Sequence, residues 1–118
     1  MELSELNRSI QSNNLLKETV DQLEKDFLMI GVNFDIEKPV SDYKDLFSFT
    51  FHLIDALNQQ IPQRVLNLLY RIDLSEEIVK SEMLITQLSF TEMLSEMIVK
   101  RELKKVIIKN YYSKSENH

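Results

Sequence analysis

Residues that commonly perform acid–base or nucleophilic chemistry are scarce in this chain of 118 residues. It contains no cysteine and two histidines, His52 and His118. A serine–histidine–aspartate relay needs an ordered histidine beside a nucleophile, but a helical projection places His52 opposite the expected core, together with Ser48 and Asp55. Without cysteine, disulfides, thiol nucleophiles and cysteine-ligated zinc are excluded. The sequence therefore predicts no catalytic residue.

Ligand sets for metals and phosphate groups are incomplete as well. A carboxylate-bridged di-iron site needs two Glu-x-x-His pairs, whereas Phe49 and Ser115 stand three residues before the two histidines. A single glycine cannot form a P-loop or a dinucleotide fingerprint, because both need several glycines. We therefore predict a protein that is not an enzyme and holds no cofactor and no metal. The alternative of a small helical enzyme with an oxygen-ligand metal site stays open, because 17 carboxylates precede Lys100.

Charge is distributed unevenly along the chain. The net charge is −5, but residues 1–99 carry 8 basic and 17 acidic groups, while residues 100–118 carry 6 and 2. The acidic excess disfavours nucleic acid as a partner. The alternative function is binding of nucleic acid or an anionic surface through a basic patch on the last helix, formed by Lys100, Lys104, Lys105 and Lys109. The competing interpretation is that these cations complement the partly negative C-terminal end of that helix.

The composition favours helices as the elements that position these residues. One glycine and two prolines are too few turn residues for a β-rich fold of this length. We predict an all-α fold, a compact antiparallel bundle of four or five helices that forms a single helical domain over residues 1–118. No apolar run is long enough to span a membrane, and the acidic start differs from a secretory signal, so we expect a cytoplasmic protein.

The first helix is marked by its apolar periodicity and by its end. Apolar residues recur at helical spacing over residues 14–30, and Gly31 follows at the position where a left-handed residue commonly ends a helix. The same spacing extends upstream and predicts a helical lead-in at Leu3, Leu6 and Ile10.

The second helix has a competing interpretation. Ser41 or Asp42 can cap a helix that runs to about residue 60. Alternation at Phe47, Phe49 and Phe51 is typical of a strand, so a hairpin within residues 32–53 is the alternative. We favour the helix, because the capping signal and the later apolar residues fit only the 3.6-residue period.

Two shorter helices are predicted next. Pro62 suits the first position of a third helix, and apolar residues surround most of its circumference, so we expect it to be the most buried segment. Asp73 or Ser75 can cap a fourth helix. Its apolar stripe consists of Ile78, Leu84, Ile85 and Leu88.

The last helix carries apolar residues on two faces. It begins at a capping box, Ser89-Phe90-Thr91-Glu92, which predicts a helix of about twenty residues. Its first stripe is interrupted by Arg101 and Lys105, which could meet acidic groups on a neighbouring helix. A second stripe lies about 150° away around the helix and consists of Val99, Leu103, Val106, Ile107 and Asn110.

The second stripe allows two interpretations. It packs either on another helix of the same chain or on a second copy, for which the 4-3-4 spacing from Val99 to Asn110 is typical of a short coiled-coil seam. The second interpretation leads to our functional prediction. The protein is expected to be a non-enzymatic helical protein–protein interaction module, a homo-oligomer and most simply a homodimer that self-associates through its C-terminal helix.

Overall fold

The computed structural model describes residues 14–34 and 40–116, the last three of them by their backbone alone. This part of the chain contains five helices and no strand, which confirms the all-α bundle. The predicted lead-in at Leu3, Leu6 and Ile10 lies outside the described residues. The helices are α1 (Leu15–Met29), α2 (Tyr43–Gln60), α3 (Pro62–Arg71), α4 (Glu76–Ile85) and α5 (Phe90–Glu116).

Polar side chains cap three of the helices as predicted. Asp42 caps α2, Ser75 caps α4 and Ser89 caps α5. Each side-chain oxygen accepts a hydrogen bond from the backbone N–H three residues later, at 2.9, 3.3 and 3.2 Å respectively. These bonds satisfy donors that the first turn of a helix leaves free. Because α2 is helical from Tyr43 onward, the alternative hairpin within residues 32–53 is wrong.

Helix α1 ends in a Schellman turn at Gly31. Gly31 has a left-handed φ of 85°. Its N–H donates to the Leu28 carbonyl at 3.0 Å, and the Val32 N–H donates to the Phe27 carbonyl at 2.9 Å. These two hydrogen bonds define the motif and satisfy carbonyl groups at the end of the helix, so the glycine is needed for its backbone conformation.

We expect Gly31→Ala to lower the free energy of unfolding by about 1–2 kcal/mol. Alanine is strained at this φ, and its Cβ would collide with the guanidinium of Arg64, which donates to the Ile30 carbonyl. Urea unfolding of this variant in the wild-type and Arg64→Ala backgrounds separates the two causes, because only the collision disappears in the second background. An unchanged unfolding midpoint for Gly31→Ala would contradict this description of the turn.

Helix α5 lies at the centre of the bundle. It packs against α1, α2 and α4, while α3 packs on α2 and α1. Leu94 and Ile98 of its first stripe are buried, and so are Val99 and Leu103 of its second. With neighbours on several sides, one helix buries apolar residues that point in two directions. The surrounding core consists of Leu23, Phe27, Tyr43, Leu46, Ile54, Leu57, Val65, Leu68, Leu69 and Ile72.

Helix α3 is half-covered rather than the most buried segment. Its core side is formed by Val65, Leu68 and Leu69. On the opposite side Leu66 is exposed, and Tyr70 is 88% exposed. The expectation of burial all round is therefore wrong, because the neighbouring helices cover only one side of α3.

Candidate functional site

Most of the predicted interface residues on α5 lie inside the chain. Val99, Leu103 and Val106 are buried. The side-chain amide of Asn110 donates a hydrogen bond of 2.8 Å to a glutamate of α1. Ile107 is the member of the set that is exposed. The chain's own helices therefore cover most of the second stripe, and a surface for self-association has to be sought elsewhere.

The lysines of the predicted basic patch face different environments. Lys105 points towards the core, where its Nζ lies 2.7 Å from Oδ2 of Asp26. Lys100 pairs at 2.8 Å with a glutamate one turn earlier on α5. Lys104 and Lys109 are exposed. The four lysines therefore do not present a common face to a polyanion.

Asp26 is the centre of a buried charge cluster that joins three helices. Its side chain is fully buried. The carboxylate accepts hydrogen bonds from Arg71 Nε of α3 at 2.9 Å and from Lys105 Nζ of α5 at 2.7 Å. Gln22, one turn earlier on α1, donates a third at 3.1 Å. The acidic partner that the sequence predicted for Lys105 on a neighbouring helix is thus confirmed.

Glu102 of α5 is a second buried carboxyl group in this cluster. Its exposed fraction is 0%, and its Oε1 lies 3.8 Å from Lys105 Nζ. Burial raises the pKa of Glu102 to about 9, aided by its hydrogen bond with the Asp26 carboxylate and by the negative charge of that group. Glu102 is therefore protonated at neutral pH and can donate its proton to Asp26.

Asp26 ionises more easily than an ordinary aspartate despite its burial. Burial alone raises the pKa of Asp26, but hydrogen bonds from Glu102, Lys105 and Gln22 bring it below its ordinary value of 3.8. One carboxyl group thus keeps its proton while the other is charged, as expected for two carboxyl groups in one buried site. Both are closed to a substrate, so the cluster serves to hold α1, α3 and α5 together.

Neither carboxyl group of this pair is among the site residues that the sequence predicts. A signal was present at Glu102, which lies four residues after Ile98 and four before Val106 and so interrupts an apolar stripe. Asp26 stands immediately before the core residue Phe27. An ionisable residue at a buried position is either ion-paired or neutral in the folded protein. Here Asp26 is paired and Glu102 is neutral.

The residues considered for catalysis and metal binding are dispersed. Within residues 14–34 and 40–116, no three histidine or acidic side chains lie close enough to share a metal ion. His52 is exposed, as predicted, and its ring packs edge-to-face against Phe51 with centroids 5.5 Å apart. No helix in the same ranges is long and apolar enough to cross a bilayer.

Helix α4 leaves most of its apolar residues uncovered. Val79 is the one buried residue among its ten. Leu84 is 87% exposed and Ile85 is 74% exposed, and Ile78 and Leu88 of the predicted stripe are exposed as well. Because neighbouring large apolar side chains that remain exposed often mark an interaction surface, α4 offers a surface for contact with another molecule. We refer to Leu84 and Ile85, its last two residues, as the apolar pair.

An apolar cavity lies at the opposite end of α4. Its volume is about 490 Å³, and it lies between α3 and the start of α4. Ten residues of helix span about 15 Å, so the cavity and the apolar pair are separated by the length of α4. We refer to it as the α3–α4 cavity; its apolar lining consists of Leu66, Leu69, Tyr70 and Leu74, and the polar residues Asp73, Ser75 and Glu76 line it as well.

Together these features define an all-α bundle with a buried charge cluster and an uncovered apolar helix. The chain matches no protein-family model, no curated protein and no solved structure. The exposed apolar residues of α4 are the structural feature from which we infer a function.

Proposed function

We propose that the protein is a non-enzymatic interaction module that forms a homodimer through α4. The observation that carries the proposal is the exposure of Leu84 and Ile85, two adjacent aliphatic side chains that remain largely in water. Burying a leucine or isoleucine side chain contributes about 1.5–3 kcal/mol. A partner that covers both would therefore recover about 3–6 kcal/mol from each copy.

We infer that a second copy fits this surface, because the apolar pair and the α3–α4 cavity lie at opposite ends of the same helix. In a two-fold interface the same surface of both subunits takes part, so every contact is made twice. If two α4 helices lie antiparallel, the apolar pair of one copy reaches the α3–α4 cavity of the other. The two features of a single chain cannot meet, because they lie about 15 Å apart along a rigid helix. The surface is thus complementary to itself.

This interface differs from the α5 stripe that the sequence indicated. Val99, Leu103 and Val106 are covered by their own chain, so a second copy cannot reach them in the folded protein. The sequence indicates an apolar stripe on α4, and in the structure this stripe lies at the surface. The proposal therefore keeps self-association but assigns it to α4.

We expect the double variant Leu84→Glu/Ile85→Glu to be monomeric. Two carboxylates cannot enter an apolar cavity without losing their hydration. Sedimentation velocity of the full chain at roughly 100 µM should show the wild type at twice the chain mass of 14.0 kDa and the variant at the chain mass itself.

Leu28 and Met29 provide a matched control. They are the last two residues of α1 and are both exposed. Leu28→Glu/Met29→Glu therefore adds the same charges at the same helical positions on another surface, and this variant should dimerise like the wild type. A wild-type protein that stays monomeric, or an equal loss of dimer in both variants, would refute the proposal.

A further inference from the structure

A second apolar feature lies between α4 and α5. It is a groove of about 370 Å³, a volume within the range of small-molecule sites. We refer to it as the α4–α5 groove. Its apolar lining consists of Leu74, Ile78, Leu88, Met93 and Met97.

The groove changes character along α5. Met93, Met97, Lys100 and Lys104 all line it, and their spacings of four, three and four place them on one face of the helix. The first two residues are apolar and the last two are cationic. With a rise of 1.5 Å per residue, Met93 and Lys104 are about 16 Å apart along the helix. The groove therefore has an apolar end and a cationic end.

Lys104 is the cation of this end that is available to a ligand. Lys100 is paired with Glu96 at 2.8 Å, and Arg101 donates from Nε to the Ile72 carbonyl at 2.7 Å. Lys104 is exposed and takes part in none of the salt bridges among the described residues. Because Glu82 and Glu96 also line the groove, an anion is favoured only next to Lys104.

We propose that the α4–α5 groove binds a single-chain acyl carboxylate. The alkyl chain lies along Met97 towards the buried Met93, and the flexible thioether side chain of Met97 adapts well to apolar ligands. The carboxylate pairs with the ammonium group of Lys104. Leu84 and Ile85 are not among the lining residues, so this site and the proposed dimer interface can be tested separately.

Titration with octanoate tests the proposal through the methionine methyl groups of the full chain. In protein labelled with ¹³C at these methyls, the Met97 resonance should shift and saturate, because Met97 lies about 10 Å along the helix from Lys104, a distance that octanoate can span. Met29, which does not line the groove, should not shift. 1-Octanol has the same chain length without the charge, and we expect it to bind about tenfold more weakly.

The lysine variants identify the cationic end. Lys104→Gln should weaken octanoate binding about tenfold and leave 1-octanol binding unchanged. Lys109→Gln removes an exposed lysine of the same helix that does not line the groove, and should bind octanoate like the wild type. The proposal is overturned if octanoate does not shift the Met97 resonance, if Met29 shifts equally, or if the two lysine variants behave alike.

Discussion

Replacing Asp26 with alanine is expected to lower the free energy of unfolding at pH 7 by about 3 kcal/mol. Asp26 is fully buried and is the shared acceptor for Arg71 and Lys105. Removing it leaves two cations without their counter-charge and removes the hydrogen bonds that join α1 to α3 and α5. The side chains of Arg71 and Lys105 are 32% and 26% exposed, so water compensates part of the loss. This places the effect at the lower end of the usual range for broken buried pairs, about 3–5 kcal/mol.

Urea unfolding of Asp26→Ala and Asp55→Ala measures this effect against a surface aspartate. Asp55 accepts a hydrogen bond from Gln59 at 3.1 Å on the exposed side of α2, and its loss should change stability by less than about 0.5 kcal/mol. The folded pKa of Asp26 is lower than its ordinary value, so its contribution is present above the ordinary value and is lost in acid. The Asp26→Ala deficit should therefore shrink at about pH 2. Equal losses for the two variants at pH 7 would contradict the central place of Asp26.

Replacing Glu102 with glutamine is expected to raise the free energy of unfolding by about 5 kcal/mol at pH 8. The pKa of Glu102 is raised from 4.5 to about 9 in the folded protein. Between these values the folded state holds a proton that the unfolded state has lost, so the stability of the wild type falls as pH rises. Glutamine is neutral in both states and can donate to Asp26 in the same way, which removes this loss.

The difference between Glu102→Gln and the wild type should itself depend on pH. It should be small near pH 4, grow with rising pH, and become constant above about pH 9, where Glu102 is ionised in both states. Glu96→Gln is the matched control on α5, because Glu96 makes a partly exposed pair with Lys100 and should change stability by less than about 1 kcal/mol. Parallel pH profiles for Glu102→Gln and the wild type would show that Glu102 carries no buried proton.

The two carboxyl groups should also be coupled. Without the negative charge of Asp26, the pKa of Glu102 should fall, although burial, the main cause of its rise, remains. Glu102→Gln should then lose part of its stabilising effect in the Asp26→Ala background. A double-mutant cycle at pH 8 measures this directly, since residues of one network do not contribute additively.

The capped helix starts and the end of α1 could be predicted from the sequence because their determinants are local, whereas α5 has 27 residues instead of about twenty. Ser75 and Ser89 each form a hydrogen bond with a residue three positions away, and the conformation of Gly31 is required by the turn that contains it. The competing prediction of a strand at Phe47 and Phe49 is wrong because local determinants favour the helix. The helical periodicity that follows the Asp42 cap extends through these residues, and α2 is continuous.

The site depends on contacts between residues that are distant in sequence. Asp26 and Lys105 are 79 positions apart, so nothing near either residue shows that they meet. Periodicity identified Leu84 and Ile85 as part of an apolar stripe on α4, but it cannot show whether a neighbouring helix covers that stripe. Burial of α3 is overestimated from the sequence for this reason, and Val99 and Leu103 of α5 are predicted at an interface although their own chain covers them.

Hydrogen exchange of the wild-type chain at low and high protein concentration is the sharpest test of self-association through α4. Backbone amides of residues 76–85 and of α3 beside the cavity should become more protected as concentration rises, because the second copy covers them. Amides of α1 near Leu28 should exchange at the same rate throughout. Exchange in α4 that does not depend on concentration, or added protection confined to α1, would contradict the account.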